Sequence, residues 1–76
     1  MKSDDKWVNL VKGILRAEMT RRGITYDQLS ERLAATGVQE TPVNLRNKVA
    51  RGGFSAAFFV QCLDVMGCQS IRLRDD

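Results

Sequence analysis

The sequence has no histidine, one proline and only two cysteines among its 76 residues. Without histidine, Cys62 and Cys68 have no usual base to activate them as nucleophiles. Two cysteines are also too few for the disulfide framework of a small secreted domain. We therefore interpret both cysteines as structural. Because the chain also has no metal-ligand cluster and no glycine-rich phosphate loop, we expect no enzymatic activity and no cofactor.

Long apolar runs are also missing, so the sequence predicts no membrane-spanning helix and no membrane partner. The first residues, MKSDDKW, lack the apolar segment of a signal peptide, and we expect a cytoplasmic protein. A chain of this length predicts one domain over residues 1–76. A core of this size contributes only a few kcal/mol, so a second subunit would help to stabilise it.

Acidic residues are absent between Thr41 and Leu63, although the net charge of the chain is only +3. The charged side chains in this stretch are all basic, namely Arg46, Lys48 and Arg51. A local basic patch attracts phosphate groups and contributes affinity for nucleic acid. The simpler alternative is a solvated surface with a small excess of lysine and arginine.

Apolar spacing and capping residues predict four helices, over about residues 5–22, 26–35, 42–51 and 56–66. Thr25 and Gln28 form a capping-box pattern at the start of the second helix. Thr41 before Pro42 predicts the start of the third helix, and Ser55 predicts the start of the fourth. Glycines follow the predicted ends, as expected for residues that adopt a left-handed conformation.

The tail changes period, because Ile71 and Leu73 alternate with polar residues. This alternation predicts a short β-strand over about residues 69–73. A lone strand leaves its backbone groups unpaired. It would therefore pair with the N-terminal residues, or with its own copy across a two-fold axis in a homodimer. A frayed, extended tail is the third alternative.

The second and third helices, joined by a short linker, have the outline of a helix-turn-helix. Residues 15–71 resemble the Cro/C1-type (XRE-like) helix-turn-helix domains of phage and bacterial repressors. In the stretch GITYDQLSERLAATGV, Thr25, Leu29, Ser30, Leu33 and Val38 occupy positions that match the second helix of that family. TPVNLRNKVARGG takes the place of the recognition helix, and FSAAFFVQCLDVMGCQSI resembles the helix that follows it. The chain also looks like a small bacterial domain family of unassigned function.

This resemblance implies an all-α, lambda-repressor-like domain of four to five helices, with the predicted strand at its C-terminus. It also implies a sequence-specific DNA-binding protein that regulates transcription as a dimer. The third helix would enter the major groove of double-stranded DNA. We expect base contacts from Gln39, Thr41, Val43, Asn44, Arg46 and Asn47. We expect phosphate contacts from Tyr26, Arg32, Lys48 and Arg51.

A non-catalytic interaction or dimerisation module is the alternative function, because helix-turn-helix folds also serve as docking domains. In that case the apolar first helix and the tail would carry the function. The two hypotheses differ in whether the chain binds unrelated DNA duplexes at low salt.

Overall fold

A computed structural model describes the backbone of residues 2–73 and the side chains of residues 5–73. The predicted all-helical architecture is confirmed, and the observed helix ends agree with the predicted ones to within three residues. The four helices are α1 Lys2–Arg22, α2 Tyr26–Ala35, α3 Pro42–Arg51 and α4 Ala56–Val65. None of these described helices combines the length and apolar character needed to cross a lipid bilayer.

Side-chain caps begin the three shorter helices at the predicted residues. The Gln28 amide donates to Thr25 Oγ1 at 3.1 Å, and the Thr25 amide donates to Gln28 Oε1 at 2.9 Å, which completes the capping box. The Asn44 amide donates to Thr41 Oγ1 at 3.1 Å at the start of α3. Each cap satisfies a backbone donor that has no partner inside its helix.

The core lies where two helices cross the other two. Both α1 and α2 pack against α3 and α4. Leu45 and Val49 are fully buried, as the sequence predicts for α3. The buried apolar side chains are Leu15, Met19, Ile24, Leu29, Leu33, Leu45, Val49, Phe58, Cys62, Leu63 and Met66.

Glu18 interrupts the apolar stripe of α1, and it is 4% exposed. Its carboxylate pairs with Arg21 and with Arg22, one turn further along α1. These contacts satisfy a charge that would be costly to bury alone. The two arginines therefore have an intramolecular partner at the end of α1.

The predicted strand over residues 69–73 is wrong. Residues 68–72 have no regular secondary structure, and the described residues contain no strand. Ile71 packs against the core from this irregular segment. The alternation reflects one inward-facing side chain, since no neighbouring strand completes a hydrogen-bonded ladder. A homodimer formed through this strand therefore has no structural basis.

Candidate nucleic-acid interface

The N-terminal end of α3 is fixed to α2 through the linker between them. Ser30 Oγ donates to the Glu40 carbonyl at 2.6 Å. The Val38 amide donates to the Leu33 carbonyl at 3.0 Å, and the Val38 side chain packs against the core. These contacts set the position from which α3 begins.

The C-terminal end of α3 is fixed to α1. Lys12 Nζ donates to the Ala50 carbonyl at 2.6 Å. Gly52 ends the helix with φ +74°, a left-handed conformation that favours glycine. A Cβ atom at Gly52 would lie 2.5 Å from Val8 Cγ1, so α1 also approaches too closely for any larger residue. The orientation of α3 is therefore set at both ends.

The outward face of α3 is polar and carries no carboxylate. Because Leu45 and Val49 point inward, Val43 and Asn47 point outward near the middle of the opposite side. Val43 is 58% exposed. All six exposed residues of the helix lie on this outward face, namely Val43, Asn44, Arg46, Asn47, Ala50 and Arg51. They present two guanidinium groups and two side-chain amides to solvent.

One flank of this face joins α3 to the start of α2. The Arg46 guanidinium carbon lies 5.6 Å from the centre of the Tyr26 ring, within the range of a cation–π contact. Both side chains line a groove of about 590 Å³, which Arg16 of α1 also lines. Asp27 contributes one acidic side chain to the same groove. Two guanidinium groups, one phenol hydroxyl and one carboxylate therefore line the groove beside α3.

The other flank joins α3 to the start of α4. Lys48 Nζ lies 2.5 Å from Glu40 Oε2 and 4.6 Å from the centre of the Phe58 ring. Lys48 is thus half-buried and paired, although it lines a second groove of about 310 Å³ together with Arg51 and Ser55. The predicted phosphate contact of Lys48 stays a prediction, and it would have to compete with Glu40.

Arg32 lies apart from the other predicted contacts. Its Nη1 donates to the Val65 carbonyl at 3.0 Å, at the C-terminal end of α4. This contact places a positive charge where the helix dipole is negative. Arg32 therefore has a structural role that its exposed position on α2 did not indicate.

Two further predicted contacts precede α3. Gln39 is exposed in the linker. Thr41 is also exposed, but its hydroxyl oxygen accepts the Asn44 amide as the helix cap. Its hydroxyl hydrogen is still available to donate, so a contact to a phosphate oxygen is compatible with the cap.

Sequence reasoning missed Arg16 and Glu40 as parts of this surface. Arg16 lies on the polar side of α1, but only the fold brings it beside Tyr26 and Arg46. Glu40 is eight residues from Lys48, which is not a spacing that places two residues on one turn of a helix. A search for the acid nearest to the basic stretch would have found Glu40.

Burial raises the pKa of Cys62 to about 12, although the positive charge of Lys48 partly opposes this increase. The thiol is therefore protonated at neutral pH, as expected for a packed side chain rather than a nucleophile. Among the residues that the structure describes, no three His, Cys, Asp or Glu side chains group together as a metal site.

Comparison with known proteins identifies one family. A family model described as "Domain of unknown function (DUF6471)" matches residues 7–71. The chain has no match among curated proteins or among solved structures. The family match covers all of α2, α3 and α4 and most of α1. The chain therefore belongs to the DUF6471 family of domains of unknown function.

Proposed function

We propose that the chain is a sequence-specific DNA-binding protein of the Cro/C1-like helix-turn-helix type, and that it regulates transcription. In this proposal α3 lies in the major groove of double-stranded DNA. The outward face of α3 carries the proposal, because its six exposed residues include two arginines, two asparagines and no acid.

The residues of this face suit two kinds of contact. Asn47 lies near the middle of the face, and an asparagine amide pairs well with the edge of adenine. Val43 is placed to contact a thymine methyl group, and Asn44 lies on one edge of the face. These three side chains are our main candidates for base recognition.

The two flanks suit the phosphate groups on either side of a major groove. Arg46 and Tyr26 line one groove beside α3, and Arg51 lines the other. Cations on both sides of a central helix match the negative charge of two DNA strands. Arg46 is also one of the six residues of the outward face, so it has a second candidate role in binding guanine.

Salt titration of duplex binding, followed by fluorescence anisotropy, tests this proposal with a matched pair of variants. Arg51→Ala should weaken binding to all duplexes and reduce the salt slope by about one. Arg32→Ala removes the same charge from α2, at a side chain that contacts the end of α4, and should leave the salt slope almost unchanged. Asn47→Ala should relax sequence preference, at a cost of about 1–3 kcal/mol on the preferred duplex.

Equal effects of Arg51→Ala and Arg32→Ala would indicate that only net charge matters, which would contradict an interface on α3. Absence of binding at low salt would contradict DNA binding altogether. The alternative, a protein-interaction module, would then be the better hypothesis. It has its own support in Trp7 of α1, a large apolar side chain that is 52% exposed.

A further inference from the structure

The groove of about 590 Å³ beside α3 lies where the end of α1, the start of α2 and the outward face of α3 meet. Gly23 turns the chain from α1 into α2 with a left-handed φ of +66°. Met19 and Ile24, on either side of this turn, are buried in the core and also line the groove. The apolar base of the groove is therefore part of the core, and exposed polar side chains surround it.

Two guanidinium groups, from Arg16 of α1 and Arg46 of α3, line this groove. Both residues are exposed, and among the described residues neither side chain forms an ion pair or a hydrogen bond within the chain. By contrast, Arg21 and Arg22 pair with Glu18. The N–H donors of both guanidinium groups in the groove therefore remain available to a ligand.

The ring of Tyr26 holds one of these guanidinium groups at the groove. The ring is half-buried and packs against the core, and the Arg46 guanidinium carbon lies 5.6 Å from its centre. The capping box of Thr25 and Gln28 fixes the first turn of α2, so local bonds set the position of the ring. A guanidinium group over a ring can still donate hydrogen bonds within its own plane. Arg46 is therefore positioned without losing its donors.

Asp27 is the acidic side chain of the groove. Together with the charges of Arg16 and Arg46 it gives the groove a net charge of +1. Asp27 lies in the first turn of α2, where the helix dipole favours a carboxylate. Its position therefore has a structural reason of its own, and the groove still attracts an anion.

We propose that this groove binds one phosphate group of the DNA backbone between the guanidinium groups of Arg16 and Arg46, and that the ring of Tyr26 positions Arg46. This inference rests on the proposed function, and it assigns Arg46 to phosphate rather than to guanine. A guanidinium group suits phosphate because it donates two parallel hydrogen bonds to the phosphate oxygens. A free phosphate compound offers the same chemistry, so the experiments separate these two sources.

The position of the groove favours DNA as the source of the phosphate. Arg46 belongs both to the groove and to the outward face of α3. When α3 lies in the major groove, the DNA strand beside Arg46 passes the start of α2 and the side chain of Arg16. Arg16 thus adds a contact from α1 to those of α2 and α3.

Inorganic phosphate tests the groove without DNA. In NMR spectra of the native chain, the Nε–H signals of Arg16 and Arg46 should shift together as phosphate is added and saturate at one dissociation constant. Sodium chloride at matched ionic strength controls for screening. Arg72 is an exposed arginine outside the groove and serves as the reference. Shifts of Arg16 and Arg46 no larger than that of Arg72 would overturn the phosphate site.

Salt titration of duplex binding with a matched pair of variants tests the role of Arg16. Arg16→Gln should reduce the salt slope by about one for every duplex. Lys6→Gln removes the same charge from an exposed site nearer the start of α1 and should leave the slope almost unchanged. Equal slopes for the two variants would overturn the contact of Arg16.

Arg46→Gln tests the assignment of Arg46 to phosphate. It should weaken binding to all duplexes by the same factor and reduce the salt slope by about one. A selective loss of preference for guanine at one position would show that Arg46 reads a base, and it would overturn the assignment.

Two variants of Tyr26 separate the ring from the hydroxyl group. Tyr26→Phe keeps the ring beside Arg46, so duplex affinity should stay close to native. Tyr26→Leu removes the ring and should weaken binding about two- to fivefold, as expected for an exposed cation–π contact. It should also shift the Nε–H signal of Arg46 while circular dichroism stays helical. Equal weakening by both variants would show that the hydroxyl group acts instead, and it would overturn the positioning role.

The phosphate site and the proposed function fail in different ways. A native chain that binds duplexes, with no phosphate shifts and no effect of Arg16→Gln, would refute the phosphate site alone. A native chain that shows the phosphate shifts but binds no duplex at low salt would refute DNA as the source, and the groove would then bind a free phosphate compound.

Discussion

The outward face of α3 and the side of α1 that carries Trp7, Leu10 and Ile14 both lie outside the core, but the rest of the fold holds them differently. α3 is fixed at one end through Glu40 and at the other through Gly52. Its exposed face is polar, so it is stable in water without a partner. On that side of α1, Trp7 is 52% exposed and Leu10 and Ile14 are half-buried, and among the described residues none of the three belongs to the core cluster. The fold therefore holds α3 at both ends, whereas it leaves an aromatic side chain of α1 exposed to solvent.

The substitution Gly52→Ala should cause the largest loss of stability, because it acts on the C-terminal end of α3, where the helix meets α1. Alanine would adopt an unfavourable left-handed conformation and its Cβ would contact the stiff side chain of Val8. We expect a loss of about 2–5 kcal/mol in the free energy of unfolding. Urea denaturation followed by circular dichroism measures the loss.

Gly23→Ala is the matched control, since Gly23 also has a left-handed φ of +66° but has open space around it. It should cost only about 1–2 kcal/mol, the conformational part of the penalty. Equal losses for both variants would show that the approach of α1 to Gly52 does not help to position α3.

A smaller effect, on DNA affinity, is expected from Glu40→Gln, which tests whether the ion pair with Glu40 keeps Lys48 from binding phosphate. Loss of the carboxylate should release Lys48 from its ion pair and make its charge available to a phosphate. DNA affinity should then rise by up to about tenfold, and the salt slope should steepen by about one. Glu31→Gln removes an equal charge from an exposed site on α2, so an identical response of both variants would contradict this role for Glu40.

Much of the fold could be predicted because its signals are local. Thr25, Thr41 and Ser55 each cap an amide three residues away, and glycine residues mark where helices end. The strand could not be judged in the same way, because a strand depends on a partner elsewhere. Ile71 and Leu73 alternate with polar residues, yet no neighbouring backbone in the described chain pairs with them.

The candidate site was only partly predictable for a related reason. Helical spacing predicts that Leu45 and Val49 are buried. It therefore also predicts which residues of α3 lie on the opposite, outward face. The partners of Arg32 and Arg46 lie on other helices, 33 and 20 residues away along the chain. Such pairs depend on how the helices pack, so sequence alone did not separate a structural arginine from an available one.

Selection of duplexes from a random library tests the central claim most directly, because it asks whether the polar face of α3 reads sequence. The native chain, at about 50 mM salt, should enrich duplexes that share a short common motif. The same selection with Asn47→Ala should lose preference at one position within that motif. Failure of the native chain to enrich any motif would contradict the assignment of α3 as a recognition helix.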